Sequence, residues 1–187
     1  MFSTLDPTTA LVVIDLQKGL TGLDLAHPMS DVVARSAALA AAFRKHGLPV
    51  VLVNVAGSPP GRTEAGSGAP RTFTEDWTEL VPELDRRPED HVVTKYARSA
   101  FAGTGLAELL LRLGVTQVVV TGISTSGGVE STARSAHEEG FHVSLPIDAM
   151  TDRTPESHEY SVQKIFPRIA ETGTTEELIT LLDNTRP

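Results

Sequence analysis

Three residue sets able to do chemistry each follow directly on a short apolar run. Asp15 follows residues 10–14 (ALVVI), Lys95 follows residues 91–94 (HVVT), and a small-residue turn at residues 122–128 (GISTSGG) follows residues 117–121 (QVVVT). Runs this short and this rich in β-branched residues predict buried strands. A carboxylate can take or give a proton, and an ammonium can hold that carboxylate's charge. A strand, a turn of small residues and a helix together aim free N–H groups at a ligand. Each feature alone is as ordinary as a capping aspartate or a solvated turn lysine. Three of them after three strands point to one edge of one sheet, where ligands bind in parallel α/β proteins.

The residue inventory narrows the chemistry. The chain contains no cysteine, which excludes a thiol nucleophile, thiolate metal sites and disulfides. The turn fits the dinucleotide fingerprint poorly, because Ser124 stands where its second glycine belongs, and no lysine follows the glycines as a phosphate-binding P-loop requires. A nucleophile elbow fails at Ser126, although Asp148 and His158 follow in the chain order of such a triad. Ser124, Thr125 and Ser126 precede a helical stretch, where small hydroxyl residues usually act as caps. The six histidines are scattered, and none gains a catalytic role by spacing. Arg62, Arg71, Arg98 and Arg134 are candidates for a clamp on a carboxylate-bearing small molecule.

These residues need a scaffold, and the pattern supplies one. Residues 30–46 are alanine-rich, carry Asp31 in their first turn and stop at Gly47 and Pro49, which predicts a helix. Residues 50–55 (VVLVNV) predict a second strand. Residues 57–70, dense in glycine and proline, should have no regular structure and leave a strand end as a lid. Residues 106–113 and 129–139 predict helices, 142–145 a strand leading to Asp148, and 155–169 a helix that Pro167 must bend or end. A short edge strand at 170–172 and a helix capped by Thr174 or Thr175 and running to Leu182 complete the chain. Strands alternating with helices indicate one domain over residues 1–187, a three-layer α/β/α sandwich on a mostly parallel sheet of five or six strands.

The net charge of −8 is spread without a basic block, so nucleic acid and anionic membranes are poor partners. No apolar run approaches the ~18 residues of a membrane span. Residues 1–15 have no basic region ahead of their apolar stretch, and the cytoplasm is the default compartment.

Four segments together, VVIDLQ at 12–17, TKYARSAF at 94–101, TGISTSGGVESTA at 121–133 and DAMTD at 148–152, give the chain a family likeness along nearly its whole length. It resembles the isochorismatase-like hydrolases, also called the cysteine hydrolase superfamily, which have a Rossmann-like fold. In the amidase members an aspartate, a lysine and a cysteine act together, and the matching positions are Asp15, Lys95 and Gly128. The nucleophile position therefore has no side chain. The resemblance further implies a non-proline cis peptide between Ile123 and Ser124, an oxyanion site at the Ser124 and Gly128 amides, and substrate contacts from Asn54, Phe101 and Arg62. It implies a homodimer or larger homo-oligomer and no cofactor. No catalytic metal is expected, because residues 54–70 lack the aspartate and histidines that metal-binding nicotinamidases carry after the second strand.

Isochorismatases proper also have glycine at the nucleophile position and cleave a vinyl ether, with the aspartate as acid. Their glutamine after the second strand is Val55 here. Three functions stay open on these grounds. They are vinyl-ether hydrolysis without a thiol, amide or ester hydrolysis by water that Asp15 activates, and a catalytically silent protein that binds a small molecule.

Overall fold

The computed structural model describes residues 2–64 and 68–186. The strands that precede the three chemical positions lie side by side. β1 (Thr9–Ile14) pairs in parallel with β2 (Val50–Val55) on one side and with β6 (Gln117–Ile123) on the other. β5 (His91–Lys95) extends the sheet beyond β2. On the far side β7 (His142–Pro146) and β9 (Glu171–Gly173) follow β6, and the two-residue β8 (Met150–Thr151) pairs with the end of β6 that β7 leaves open. The sheet thus has seven strands, all parallel, in the order β5-β2-β1-β6-β7-β9 with β8 beside β6. The extra strand over the five or six expected is β8, which is too short to show a pattern of its own.

Both faces of the sheet are covered, which is why its strands read as unbroken apolar runs. Every residue of β1 and β6 is buried. Leu11, Val13, Leu52 and Val119 face α1 (Met29–Lys45) and α6 (Thr175–Thr185) through Leu39, Phe43, Leu178 and Leu182. Val12, Ile14, Val51 and Val120 face α3 (Leu106–Arg112) and α4 (Glu130–Glu138) through Leu106, Leu110, Ala133 and Ala136. α6 starts in a capping box, Thr174 with Glu177, which satisfies two of its free N–H groups. No helix among the described residues is long and apolar enough to cross a membrane.

Two segments depart from expectation. Residues 57–70 are not wholly irregular, because β3 (Gly57–Ser58) pairs antiparallel with β4 (Arg71–Thr72) and closes the loop at its base; residues 65–67 of that loop lie outside the described residues. The helix expected over residues 155–169 is three pieces: α5 (Pro155–Tyr160), a π-turn at Ser161–Ile165 and a 3-10 turn at Phe166–Arg168. Pro167 cannot donate to the preceding turn, so a regular helix cannot run through it.

One ion pair anchors the sheet edge away from the chemistry. Arg44 of α1 donates to both oxygens of Asp90, at 3.0 and 2.7 Å, and the Arg87 amide adds a third bond at 2.8 Å. Both side chains are largely buried. Asp90→Ala leaves the guanidinium without its partner and should lower stability by about 3–5 kcal/mol. A urea melt with a lower midpoint and an unchanged slope is the expected record.

Candidate active site

All seven strands run the same way, so their carboxyl ends share one edge, and Asp15 and Lys95 meet there. The Asp15 amide donates to the Val53 carbonyl at 2.9 Å, continuing the β1–β2 ladder one residue past β1. The backbone then turns through the left-handed region, φ 56° at Asp15, a conformation that Asp and Asn tolerate better than most residues. Gln17 locks this turn. Its Oε1 accepts the Val55 amide at 2.8 Å, and its Nε2 donates to the carbonyls of Val55 and Trp77, at 3.1 and 3.2 Å. Trp77 belongs to α2 (Glu75–Thr78) and lies flat on Gly19, where a Cβ would come within 2.1 Å of the indole.

Lys95 ends β5, two strands from β1, and its long side chain spans the gap. Nζ donates to Asp15 Oδ2 at 2.8 Å and to the Ala97 carbonyl at 3.1 Å, with both side chains almost wholly buried. Asp15 Oδ1 is buried and has no hydrogen-bond partner among the described residues. Burial pushes the Asp15 carboxyl up from 3.8 to about 6, and the charge and hydrogen bond of Lys95 oppose that rise without cancelling it. A carboxyl in that range exchanges its proton readily near neutral pH.

The glycine turn closes the site from β6. Gly122 has φ 110°, and a Cβ there would lie 2.0 Å from the Ile14 carbonyl oxygen, so only glycine lets β6 approach β1 this closely. The Ile123–Ser124 peptide is cis. Beyond it the Ser124 carbonyl accepts the Gly127 and Val129 amides, at 2.9 and 3.2 Å, which folds Thr125–Val129 into a π-turn ahead of α4. A Cβ built on Gly128 would point at Asp15, 3.3 Å from Oδ2, and would press on Ile14 Cγ2 at 2.9 Å. Gly128→Cys should therefore fold at a cost of about 1–3 kcal/mol and present its thiol to the Asp15–Lys95 pair. Alkylation of this variant by iodoacetamide near neutral pH is the check; a folded variant that stays unlabelled would mean that position 128 does not open on the site.

Asp15, Lys95, Ser124 and Gly128 all line one cavity of about 760 Å³. Leu20, Leu23, Leu25, Phe73 and Trp77 supply an apolar wall. Of the candidate clamp arginines, Arg62, Arg71 and Arg98 line the cavity, and Arg153 joins them. None of these four guanidinium groups has a carboxylate partner among the described residues. Arg98 also reaches the turn, with Nη1 3.9 Å from where a Gly127 Cβ would sit.

Three expected site residues lie elsewhere. Asn54 does not line the cavity; it turns toward α2 and donates to the Thr78 carbonyl at 2.9 Å. Phe101 packs against Phe141 in the core, ring centroids 6.0 Å apart, because an aromatic side chain gains more there than at a polar edge. Arg134 pairs with Glu130 one turn earlier on α4, 2.9 Å away. The elbow triad also fails, since Asp148 pairs with Arg35 at 3.2 Å and accepts from Thr175, not from His158. Sequence reasoning missed Arg153 and Trp77. Arg153 follows DAMTD directly, a usable signal; nothing around Trp77 indicates that it reaches a strand edge.

A fold of this topology, with a buried Asp–Lys pair facing a glycine turn at its carboxyl edge, defines an isochorismatase-type α/β hydrolase. The Isochorismatase domain family matches residues 9–177, and the chain belongs to that family. It is 40% identical over 177 residues to the uncharacterised isochorismatase family protein YwoC of Bacillus subtilis, covering 91% of this chain and 92% of that protein. It is 36% identical over 141 residues to a streptothricin hydrolase of Streptomyces noursei, covering 75% of this chain and 48% of that one. The structure of an isochorismatase family protein from Burkholderia thailandensis superposes with a TM-score of 0.90 at 37% identity, covering 96% of this chain and 98% of that one.

Proposed function

We propose that this protein hydrolyses a small anionic molecule without a side-chain nucleophile, Asp15 moving the proton. The observation that carries the reading is the Asp15 carboxyl itself: buried on the cavity, one oxygen held by Lys95, the other without a partner among the described residues, and its pKa lifted to about 6. Opposite it, at Gly128, there is no side chain to attack a substrate.

A vinyl ether suits these groups. The Asp15 carboxyl delivers its proton to the terminal enol carbon, and the ether oxygen stabilises the resulting oxocarbenium ion. Water adds to that cation and returns a proton to Asp15. The hemiketal then collapses to a ketone and an alcohol, so one water is consumed and no group on the protein is altered. Four arginines without carboxylate partners among the described residues give the cavity a cationic character that favours carboxylate-bearing substrates over neutral ones.

One observation favours a second reading. Ser124 and Gly128 line the same cavity as Asp15, so their amides can hold the oxygen of an amide or ester carbonyl while Asp15 takes a proton from water. Streptothricin hydrolase is one relative, and maleamate amidohydrolase of Pseudomonas putida, 30% identical over 178 residues, is another whose name fits such chemistry.

Isochorismate and a panel of small amides and esters, neutral and anionic, test both readings. An acid mechanism loses kcat/KM as pH rises through about 6, where Asp15 gives up its proton; a base mechanism loses it as pH falls through the same value. Anionic members should be preferred. Tight binding without turnover of any member would leave a small-molecule binding protein.

A further inference from the structure

A polar cluster that the proposed chemistry does not use lies behind the glycine turn. His158 of α5 places Nδ1 2.8 Å from the Thr125 hydroxyl. The next residue, Ser126, donates its amide to Asp152 at 2.6 Å, and the other oxygen of Asp152 accepts the Arg153 amide at 2.7 Å. His27, from the loop that leads into α1, meets the His158 ring edge-on with centroids 4.8 Å apart. His27 is itself tied to the Thr151 hydroxyl by its amide at 3.0 Å and its Nδ1 at 3.1 Å. Thr125, Thr151, Asp152 and His158 are all buried, and none of them lines the cavity.

The turn is thus gripped from behind at two consecutive residues, while its neighbours Ser124 and Gly128 face the site. We propose that His158 is a positioning residue whose imidazole, through Nδ1, fixes Thr125 and with it the directions in which the flanking Ser124 and Gly128 amides point. This concerns the geometry of the turn and stands whether or not Asp15 drives hydrolysis.

The seat favours an uncharged ring. Burial pushes His158 below its ordinary 6.5 and His27 pushes the same way, while Asp152 at the end of β8 and Glu159 on its own helix oppose them. Among the described residues these three are the ionisable groups that act on the ring, and Thr125, from the turn, is uncharged. A proton added to the ring in acid makes both nitrogens donors, which sets the Thr125 hydroxyl as acceptor and charges a buried ring, so the grip on Thr125 changes.

NMR of the imidazole nitrogens and backbone amides, on the full chain carrying Asp15→Asn to remove the titrating carboxyl of the site, tests this from pH 8 to 5. The Thr125 and Ser126 amides should shift with the midpoint of His158, below 6.5, and His27→Gln should raise that midpoint. In His158→Asn the side-chain amide occupies the place of Nδ1, so the turn should keep its pH 8 shifts and stop titrating. In His158→Gln the amide reaches the place of Nε2, and exchange at the Ser126 and Gly128 amides should quicken roughly tenfold. Turn amides that ignore the His158 titration, or Asn and Gln variants that behave alike, would overturn the assignment.

Discussion

Asp15→Asn is expected to lower turnover of any hydrolysed substrate by about 10²–10⁴-fold, the usual contribution of a positioned acid or base. The substitution is chosen to change little else. Asparagine tolerates the left-handed backbone that position 15 requires, φ 56°, where most other residues would add strain. Its side-chain oxygen can still accept the Lys95 ammonium that now lies 2.8 Å from Oδ2. What it cannot do is carry the proton. Binding should therefore survive, and the chain reports on binding by itself, because its single tryptophan, Trp77, lines the cavity. The expected record is a ligand-dependent Trp77 fluorescence change in both proteins and turnover in the wild type only. Turnover that persists in Asp15→Asn would remove Asp15 from the mechanism.

Lys95→Met should have the next largest effect, and its size should depend on pH. Lys95 holds the Asp15 carboxyl down against burial, so removing the ammonium moves that carboxyl above about 6. In the wild type, a folded-state value raised from 3.8 means that Asp15 favours folding in acid. That contribution is complete below 3.8, is lost at about 1.4 kcal/mol per pH unit as pH rises to about 6, and changes no further above it. In Lys95→Met the loss continues to a higher pH. The gap in stability between the two proteins should thus be small near pH 4 and reach about 3 kcal/mol or more near pH 8, where the wild-type carboxylate keeps its partner and the variant's does not. Urea melts at the two pH values measure it. The activity profile should move to higher pH in parallel, whichever direction of proton transfer the substrate demands. A stability difference that does not vary with pH would mean that the pair is not electrostatically coupled.

Much of this molecule is legible in order of residues alone. Val12, Val13 and Ile14, or Val118, Val119 and Val120, read as strands buried on both faces, because they are β-branched and belong to apolar runs too short for a helix. Parallel strands end on one edge, so Asp15, Lys95 and the turn after β6 had to converge. The missing thiol was equally plain, since a chain with no cysteine cannot hide one.

What spacing could not convey was which of several equivalent residues turn inward. Arg98 and Arg134 look alike in sequence, yet one borders the turn and the other has Glu130 four residues away on its own helix. Phe101 sits in a segment that carries the family likeness and Asn54 near the end of β2, and packing sends one to Phe141 and the other to the Thr78 carbonyl. The protonation behaviour of Asp15 was likewise beyond the sequence. Burial raises the carboxyl and Lys95 lowers it, and the outcome depends on an ångström-scale balance of desolvation against a 2.8 Å contact. Local sequence determined the strands, the edge and the absence of a thiol. The tertiary structure decided the electrostatics and the cavity wall, because both are sums over residues far apart in the chain, such as Lys95 eighty positions from Asp15 and Arg153 on the far side of the turn.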